Sequence, residues 1–408
     1  MHFTGFSILL LLQLLFQPTF ADVVKEGSTC TVTPLGGDQD DSVQVVDAFL
    51  QCGQDGIINF ETGTYSIQRV MDIRDISNCE VNIYGTFIWS TDIQYWLSNS
   101  ISVEYSGRST AWRLGGDNFT IRGHYQALFD GNGQLWYDQN KNQGNQNGRP
   151  ISFTLWEARN VLVDGIKWIQ PQFWHTFIAY SDNITMTNLD MNATSNSQWS
   201  TVNTDGTNTW NSNNVRISNW TVTSGDDSIS AKGNSTNIHV SDITCYESGA
   251  MVIGSIGNNA IDYVENVLFE NIRLNHSSNA AWIKTYPANG GYVKNITFRN
   301  IEFSDVNQPI YISPCIYSGQ NCDGSRLPIS DITWENIRGT ARYNVGAGIH
   351  CSASAPGQNL RFVDFDITTL DEGEVEYLCS NIANQADSGL PCSRSCPGNW
   401  PQELDGPA

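Results

Sequence analysis

Positive charge is scarce in this sequence: 21 Lys and Arg residues stand against 42 Asp and Glu residues, and the formal net charge is −21 at pH 7. Nucleic acids and anionic membrane surfaces attract proteins through basic patches, so this balance argues against both as partners. An acidic polymer would need a groove that is locally basic.

Long apolar runs are also missing, except near the N-terminus. The segment from Ile8 to Phe16 is mostly apolar, but it is well short of the ~20 residues that span a bilayer, so a membrane anchor is not expected. Thr19, Phe20 and Ala21 follow it. This order predicts a secretory signal over residues 1–21, cleaved after Ala21, and a secreted single domain over residues 22–408.

Ten cysteines in a secreted chain predict disulfide bonds. Close spacing favours Cys315–Cys322 and Cys392–Cys396, although spacing does not settle the connectivity. Seven Asn-x-Ser/Thr sequons are candidate glycosylation sites, at Asn118, Asn183, Asn192, Asn219, Asn234, Asn275 and Asn295.

Helical periodicity is hard to find after residue 60, and a different repeat takes its place. Each copy opens with Asn or Asp and continues with alternating apolar and polar residues, which is typical of strands. The copies begin about 23 to 42 residues apart, at Asn118, Asn160, Asn183, Asn214, Asn237, Asn266, Asn295, Asp331 and Asn359.

One such strand cannot bury its apolar face alone, so stacked copies predict an all-β fold, a parallel β-helix in one domain. A two-sheet sandwich would need turn signals every 8–12 residues, and these are sparse. The side chains expected to stack inward are those of Val161, Ile184, Val215, Ile238, Val267 and Ile296. The leading Asn residues suit left-handed turns and side-chain ladders.

Three segments break this pattern. Residues 40–51 predict a helix that caps the open end of the solenoid, with Val43, Val46, Phe49 and Leu50 at helical spacing. Residues 131–149 are rich in Asn, Gln and Gly and predict a long surface loop. The tail after Cys379 predicts irregular structure held by Cys392–Cys396.

Carboxylates recur at nearly the same phase of successive copies. If the copies stack, their side chains meet on one face, and paired acids are what glycosidic hydrolysis needs to protonate a leaving oxygen and activate water. Acids in solenoid turns are also often structural. The segments concerned are residues 203–206, 225–227, 249–255 and 282–285.

These motifs, together with Phe173 and Trp174, resemble the polygalacturonase family of glycoside hydrolases, family 28, over about residues 110–345. The resemblance implies a right-handed β-helix and inverting hydrolysis of pectin, with no cofactor or metal. Asp226 is similar to the family's general acid. Asp205 and Asp227 are similar to the pair that holds the attacking water. We expect a monomer.

The resemblance also implies substrate-binding residues. Lys284 resembles the lysine that pairs with a galacturonate carboxylate, and Tyr317 resembles a tyrosine that lines the cleft. Trp174 and His175 are candidates for the sugar-binding side, although core packing explains them equally well.

Three positions depart from the family pattern. Gly249 stands where polygalacturonases carry a histidine, Trp282 where they carry an arginine, and Ser228 where they usually carry a cysteine, which leaves Cys245 without that partner. Arginine binds a planar carboxylate in a bidentate manner, whereas tryptophan offers an apolar face. Trp282 therefore suits a sugar with a methyl group, such as rhamnose. Residues 234–238 resemble exo-acting members.

The sequence therefore predicts a secreted, exo-acting hydrolase that releases terminal rhamnose from rhamnogalacturonan, an α-L-rhamnosidase or exo-rhamnogalacturonase. An exo-polygalacturonase is the first alternative, and an endo-acting xylogalacturonan or rhamnogalacturonan hydrolase is the second. A polysaccharide lyase would need calcium and a basic residue on the elimination path. A non-catalytic wall-binding solenoid would keep its function without Asp226.

Overall fold

The computed structural model describes residues 23–259, 262–317 and 320–397, so the predicted secretory signal lies outside the described residues. The described residues form 24 strands and three α-helices. The helices are α1 (Ser42–Cys52), α2 (Ile93–Asn99) and α3 (Gln134–Asn140). None of these helices has the length and apolar character needed to cross a bilayer.

The strands of the N-terminal half are β1 (Val24–Glu26), β2 (Thr29–Val32), β3 (Ile57–Phe60), β4 (Thr64–Ile67), β5 (Met71–Ile83), β6 (Thr86–Trp89), β7 (Ile101–Ser102), β8 (Ser109–Asp130), β9 (Pro150–Ile169), β10 (Thr176–Ala179), β11 (Asp182–Asn192) and β12 (Thr207–Trp210). Those of the C-terminal half are β13 (Asn213–Thr223), β14 (Asp227–Ala231), β15 (Ser235–Tyr246), β16 (Gly249–Ile256), β17 (Tyr263–Asn275), β18 (Asn279–Thr285), β19 (Tyr292–Val306), β20 (Gln308–Ser313), β21 (Ile329–Ala341), β22 (Val345–His350), β23 (Gln358–Thr369) and β24 (Glu376–Ser380).

Most of these strands pair in parallel with the strand two places further along the chain. Odd-numbered strands from β9 to β23 form one stack, and even-numbered strands from β10 to β24 form another. Each coil therefore contributes one long and one short strand. The predicted fold class, a right-handed parallel β-helix, is confirmed.

The core is a set of ladders that run along the helix axis. The predicted inward row pairs in register from Val161 through Ile184, Val215, Ile238 and Val267 to Ile296, and each member is at most 3% exposed. Burying one such side chain stabilises the fold by about 1.5–3 kcal/mol. The row therefore fixes the register of the coils and contributes to the stability of the core.

The leading Asn residues occupy the turns, as predicted. Asn160, Asn183 and Asn266 have φ of 54°, 56° and 59°, in the left-handed region that Asn tolerates. Asn183 Nδ2 donates to Asn160 Oδ1 at 2.8 Å, and Asn295 Nδ2 donates to Asn266 Oδ1 at 2.7 Å. The side chains thus bond from coil to coil.

The predicted N-terminal helix is present, but two of the four apolar residues at helical spacing face solvent. Val43 and Leu50 are 65% and 78% exposed, whereas Val45 and Ala48 are fully buried. The reason is the disulfide between Cys30 and Cys52, which joins the end of α1 to β2 and turns that face of the helix inward.

Two further expectations need correction. The segment 131–149 is not all loop, because α3 forms there and buries the rings of Trp136 and Tyr137. Cys315–Cys322 is confirmed, but Cys392–Cys396 is wrong, since Cys392 bonds to Cys379.

The contacts of the tail show where each of its cysteines lies. Leu378 and Arg394 form a parallel bridge, and Cys396 N donates to Ser380 Oγ at 3.0 Å, so Cys396 lies beside β24. Cys392 bonds to Cys379, and Cys396 keeps a free thiol.

Candidate active site

The three predicted carboxylates meet where the turns before β12 and β14 stack. Backbone bonds hold the turns in place: His175 N donates to Asp205 O at 2.8 Å, and Gly206 N donates to Asp227 O at 3.0 Å. One carboxylate oxygen from each of Asp205, Asp226 and Asp227 lies within 4.8 Å of the others. The sequence motifs therefore do form one constellation.

The acids face a cavity of about 340 Å³. Its walls come from loops at both ends of the acid group, and they mix aromatic rings with cations and amides. Beside the three Asp residues, the lining is formed by Tyr105, Ser106, Arg108, Asn145, Trp174, Asn203, Lys232, Ser255, Asn258, Lys284, Tyr286 and Tyr317. Such a mixture of rings and a few directed polar groups is typical of a small-molecule or sugar site.

Asp226 is the most accessible of the three acids. Its Oδ1 accepts a hydrogen bond from Asp227 N at 2.8 Å, and its Oδ2 accepts one from Asn203 Nδ2 at 2.8 Å. Burial, and then the charge of Asp227, raises the pKa of Asp226. A carboxyl that faces the cavity and keeps its proton more readily is suited to protonate a leaving group.

Asp205 lies deeper, with 3% of its surface exposed. Its Oδ2 accepts from Asn208 Nδ2 at 3.0 Å, whereas Oδ1 has no partner among the described residues. Burial raises the pKa of Asp205 well above its usual range, and the charges of Asp226 and Asp227 raise it further. Three like charges so close together therefore favour one shared proton.

Asp227 is held differently. Lys284 Nζ lies 2.8 Å from Asp227 Oδ2, and the two side chains are only 4% and 3% exposed. Burial alone would lower the pKa of Lys284, but the neighbouring Asp227 carboxylate outweighs it, and the net shift is upward. Lys284 therefore stays charged and places a buried positive charge beside the three carboxylates.

The same distances would allow the three carboxylates to act as cation ligands. Lys284 already occupies Oδ2 of Asp227, and Lys232 lines the same cavity. Two lysine side chains thus already lie beside the three carboxylates.

Of the predicted substrate-binding residues, Trp174, Tyr317 and Lys284 line the cavity. His175 does not, because its side chain is fully buried and its Nδ1 lies 3.0 Å from Asp205 O. Burial lowers the pKa of His175 to about 4. Direct sugar contact by His175 is therefore corrected to support of the Asp205 backbone by a neutral ring.

Trp282 also lies outside the cavity lining. Its ring stacks on Tyr311 with centroids 4.9 Å apart, and Lys284 Nζ lies 4.1 Å from the ring centroid. The ring that the sequence assigned to the sugar therefore supports the Lys284 ammonium by a cation–π contact.

The presence of glycine at position 249, where the family pattern has a histidine, has a steric explanation. A Cβ at this position would lie 2.9 Å from Asp227 Oδ1. The histidine expected from the family pattern would need Asp227 to move, and the missing side chain leaves room for the Asp227–Lys284 pair. Ser228 bonds to Ser248 at 2.7 Å, and Cys245 keeps a free thiol, as predicted.

The sequence interpretation missed Lys232. It is 6% exposed, and its Nζ donates to Gly254 O at 3.2 Å and to Ser230 Oγ at 3.4 Å. It lies 5.3 Å from the Trp174 ring centroid. Burial lowers its pKa, and the charge of Asp205 opposes this shift. Lys232 forms no ion pair with another described residue.

Arg108 was missed as well. Its NH2 group donates to Asn145 Oδ1 at 2.7 Å, and it reaches the cavity from the loop between β7 and β8. Lys232 had a usable signal, since Ile229 and Ala231 face the core and Ser230 and Lys232 alternate outward. Arg108 stands in a loop with no repeat, so no pattern marked it.

Comparisons with known proteins show the family of this chain. The profile of Glycosyl hydrolases family 28 matches residues 65–392. The chain is 34% identical over 388 residues to alpha-L-rhamnosidase rgxB of Aspergillus niger, covering 89% of this chain and 90% of that protein. It is 32% identical over 381 residues to an exopolygalacturonase of Cochliobolus carbonum, covering 88% and 84%.

A solved structure shows a similar fold. The endo-xylogalacturonan hydrolase of Aspergillus tubingensis superposes with a TM-score of 0.80 at 27% identity, covering 90% of this chain and 99% of that one. The relatives thus include both exo- and endo-acting enzymes.

Proposed function

Because the chain belongs to glycosyl hydrolases family 28, whose members are glycoside hydrolases that act on pectin, we propose that it removes single sugars from the ends of pectic chains. The observation that supports this proposal is the position of Tyr105, an aromatic residue in the loop between β7 and β8. Tyr105 packs on Trp174, Phe177 and Trp210, with centroids 6.1, 5.9 and 5.3 Å apart.

Trp174 and Phe177 belong to the coil before Asp205, and Trp210 belongs to the coil of Asp205 itself. We infer that Tyr105, which lines the cavity with the acids, closes this end of the face to a polysaccharide. The chain would then leave the cavity toward β18 to β24. One closed end and one open end suit an exo-acting enzyme.

The proposed mechanism follows from the side chains. Asp226 protonates the leaving oxygen, because it faces the cavity and its pKa is raised. Asp205 and Asp227 hold the attacking water, and Lys284 contacts Asp227 at 2.8 Å. Asp205 in its ionised form takes up the proton that the water loses, and its raised pKa favours this uptake.

We propose inversion of the anomeric centre. Inverting acid and base groups usually lie ~6.5–9.5 Å apart, and retaining pairs ~5–5.5 Å apart; the nearest oxygens here lie within 4.8 Å. The third acid accounts for the difference, because the water is held between Asp205 and Asp227 rather than between one acid and one base. NMR of the first product identifies the anomer, and a retained configuration would refute this mechanism.

We assign the terminal sugar as rhamnose linked to galacturonate. The Lys284 ammonium is already paired with the Asp227 carboxylate. Arg108 and Lys232 therefore remain as the cations that can bind a substrate carboxylate, beside the Tyr105 and Trp174 rings. One carboxylate and one apolar methyl group match that lining, and the 34% identical relative is named an alpha-L-rhamnosidase.

Terminal galacturonate is the second candidate. It is favoured by Arg108 and Lys232 together, since two cations near the closed end suit a carboxylate on the terminal sugar itself. Incubation with rhamnose-ended rhamnogalacturonan oligomers and with polygalacturonate oligomers separates the two. Free rhamnose from the first series is the expected product, and galacturonate released only from the second would replace the first candidate.

An extracellular site of action belongs to the same proposal. The three disulfides of the described residues need an oxidising compartment, and a pectic substrate lies outside the cell. Detection of the intact protein in the culture medium, with a mature N-terminus after Ala21, tests it.

A further inference from the structure

A second polar cleft lies on the same face of the solenoid as the catalytic cavity, toward its open end. The strand register pairs Lys284 with Ser313 and His350 with Ser380. Between them, Ile312 pairs with Ile349, so one further residue in this register places His350 in the coil after Ser313. Neighbouring strands are ~4.8 Å apart. His350 is therefore about 10 Å along the axis from the coil that holds Lys284.

This cleft, called here the His350 groove, has a volume of about 540 Å³. It is separate from the catalytic cavity, but the loop after β20 contributes to both: Tyr317 lines the cavity, and Asn321 lines the groove. A chain that leaves the cavity toward β24 meets the groove next.

His350 is the buried polar group of the groove. Its side chain is only 5% exposed, yet its Nδ1 has no hydrogen-bond partner among the described residues. Burial lowers the pKa of His350, which favours the neutral ring. An unpaired ring nitrogen at such depth is costly unless a ligand satisfies it.

The other groups of the groove are amides, hydroxyls and one acid. Asp323 Oδ1 accepts from Asn381 Nδ2 at 2.9 Å and from Ala353 N at 3.1 Å. The described lining contains no Lys or Arg. A uronate carboxylate would therefore meet negative charge without a counter-charge, whereas the hydroxyls of a neutral sugar can donate to Asp323 and to His350.

Two disulfides make the groove rigid. Cys322, which lines it, is bonded to Cys315, and Cys379, on the opposite side, is bonded to Cys392. Binding would therefore need little ordering of the lining, which favours affinity for a weakly held sugar.

We propose that the His350 groove is a distal subsite that binds a neutral sugar of the pectic chain, on the leaving-group side of the cleaved bond. The inference rests on the proposed exo-acting function. It adds that the enzyme recognises a sugar of the pectic chain that lies beyond the cleaved bond. Rhamnogalacturonan, which alternates neutral and acidic sugars, provides such a residue, whereas polygalacturonate does not.

The test compares His350→Ala with wild type on defined rhamnogalacturonan oligomers of increasing length. The kcat/KM of the wild type is expected to rise with length until the groove is filled. His350→Ala should lose about 10-fold on the long oligomers, corresponding to one hydrogen bond of ~1.4 kcal/mol, mainly through KM, and should match the wild type on the disaccharide. His239→Ala removes an imidazole from the opposite, solvent-facing ladder next to Glu270 and serves as the matched control.

Each alternative outcome is decisive. Equal losses at every length would identify His350 as a structural residue, and unchanged kinetics at every length would show that the groove is unused; either overturns the subsite and leaves the exo-acting function intact. A length effect of the same size on polygalacturonate oligomers would overturn the preference for a neutral sugar. A wild-type enzyme that cleaves none of these oligomers would instead refute the proposed function.

Discussion

Lys284 Nζ lies 2.8 Å from Asp227 Oδ2 in a setting where both side chains are almost completely buried. The Trp282 ring covers the ammonium on another side. Asp227 begins β14 and Lys284 lies near the end of β18, so the contact joins two coils across β16. The contact therefore places a positive charge beside the three carboxylates, and it also links the coils of β14 and β18.

Removing one member of this pair should be costly. Lys284→Met leaves a buried carboxylate without its counter-charge, which typically destabilises a protein by about 3–5 kcal/mol. We expect a lower free energy of unfolding and a loss of turnover. Denaturant titration and initial rates measure the two effects.

Two further variants complete this experiment. Lys284→Met combined with Asp227→Asn should recover most of the stability but none of the activity. Lys167→Met breaks an exposed pair, with Asp190 at 3.3 Å, and should change stability by less than about 1 kcal/mol. If the buried pair were no more costly to break than this surface pair, the role given to Lys284 would be wrong.

The sequence alone predicted the structure of the repeating parts of the molecule. Alternating residues after each leading Asn predicted the inward row from Val161 to Ile296, because one register error would turn the whole row to solvent. Asp205, Asp226 and Asp227 were predicted together for the same reason, since they share a phase of the repeat.

The parts that do not repeat could not be predicted in this way. Arg108 and Tyr105 reach the cavity from a loop whose path depends on tertiary contacts, such as that between Tyr105 and Trp210. Cys392 pairs with Cys379 across a tertiary contact between the tail and β24, which local spacing does not reveal. Trp282 was expected to contact a sugar, but its ring stacks on Tyr311 instead, a contact between coils that the sequence pattern does not reveal.

Asp226→Asn should retain the fold and lose most of the rate. A positioned general acid contributes roughly 10²–10⁴-fold. The amide oxygen can keep the hydrogen bond from Asp227 N, although the bond from Asn203 Nδ2 is lost. Combined with Asp205→Asn or Asp227→Asn, the losses should be smaller than the product of the single effects, because the three act as one unit. Asp366→Asn, on the exposed side of β23, is the control. Near-native turnover in Asp226→Asn would exclude it as the acid.

Asp205→Asn should make the protein more stable at neutral pH. The pKa of Asp205 in the fold is raised above the ~3.9 of an unfolded chain, so the folded state binds this proton more tightly. Stability contributed by that proton is present below pH ~3.9 and is lost as the pH rises through the raised pKa. The Asn side chain carries no charge and avoids this loss.

The melting temperature of Asp205→Asn should therefore exceed that of the wild type at pH 7, and the difference should shrink toward pH 3. Thermal scans of wild type, Asp205→Asn and the Asp366→Asn control at both pH values measure it. A variant less stable than wild type at pH 7 would show that the hydrogen bond from Asn208 matters more than the buried charge.

Trp282→Arg distinguishes a residue that supports Lys284 from one that contacts sugar. The substitution places a guanidinium beside the Lys284 ammonium, which now lies 4.1 Å from the ring centroid, and it removes the stacking on Tyr311. A desolvated cation–π contact contributes about 2 kcal/mol, so kcat/KM should fall by roughly 10-fold or more on rhamnose-ended and galacturonate-ended oligomers alike, relative to the wild-type rate on each. Trp282→Phe keeps an aromatic face and should lose much less. A selective loss on the rhamnose-ended series, with hydrolysis of the galacturonate-ended series unchanged, would mean that the ring touches the terminal sugar after all.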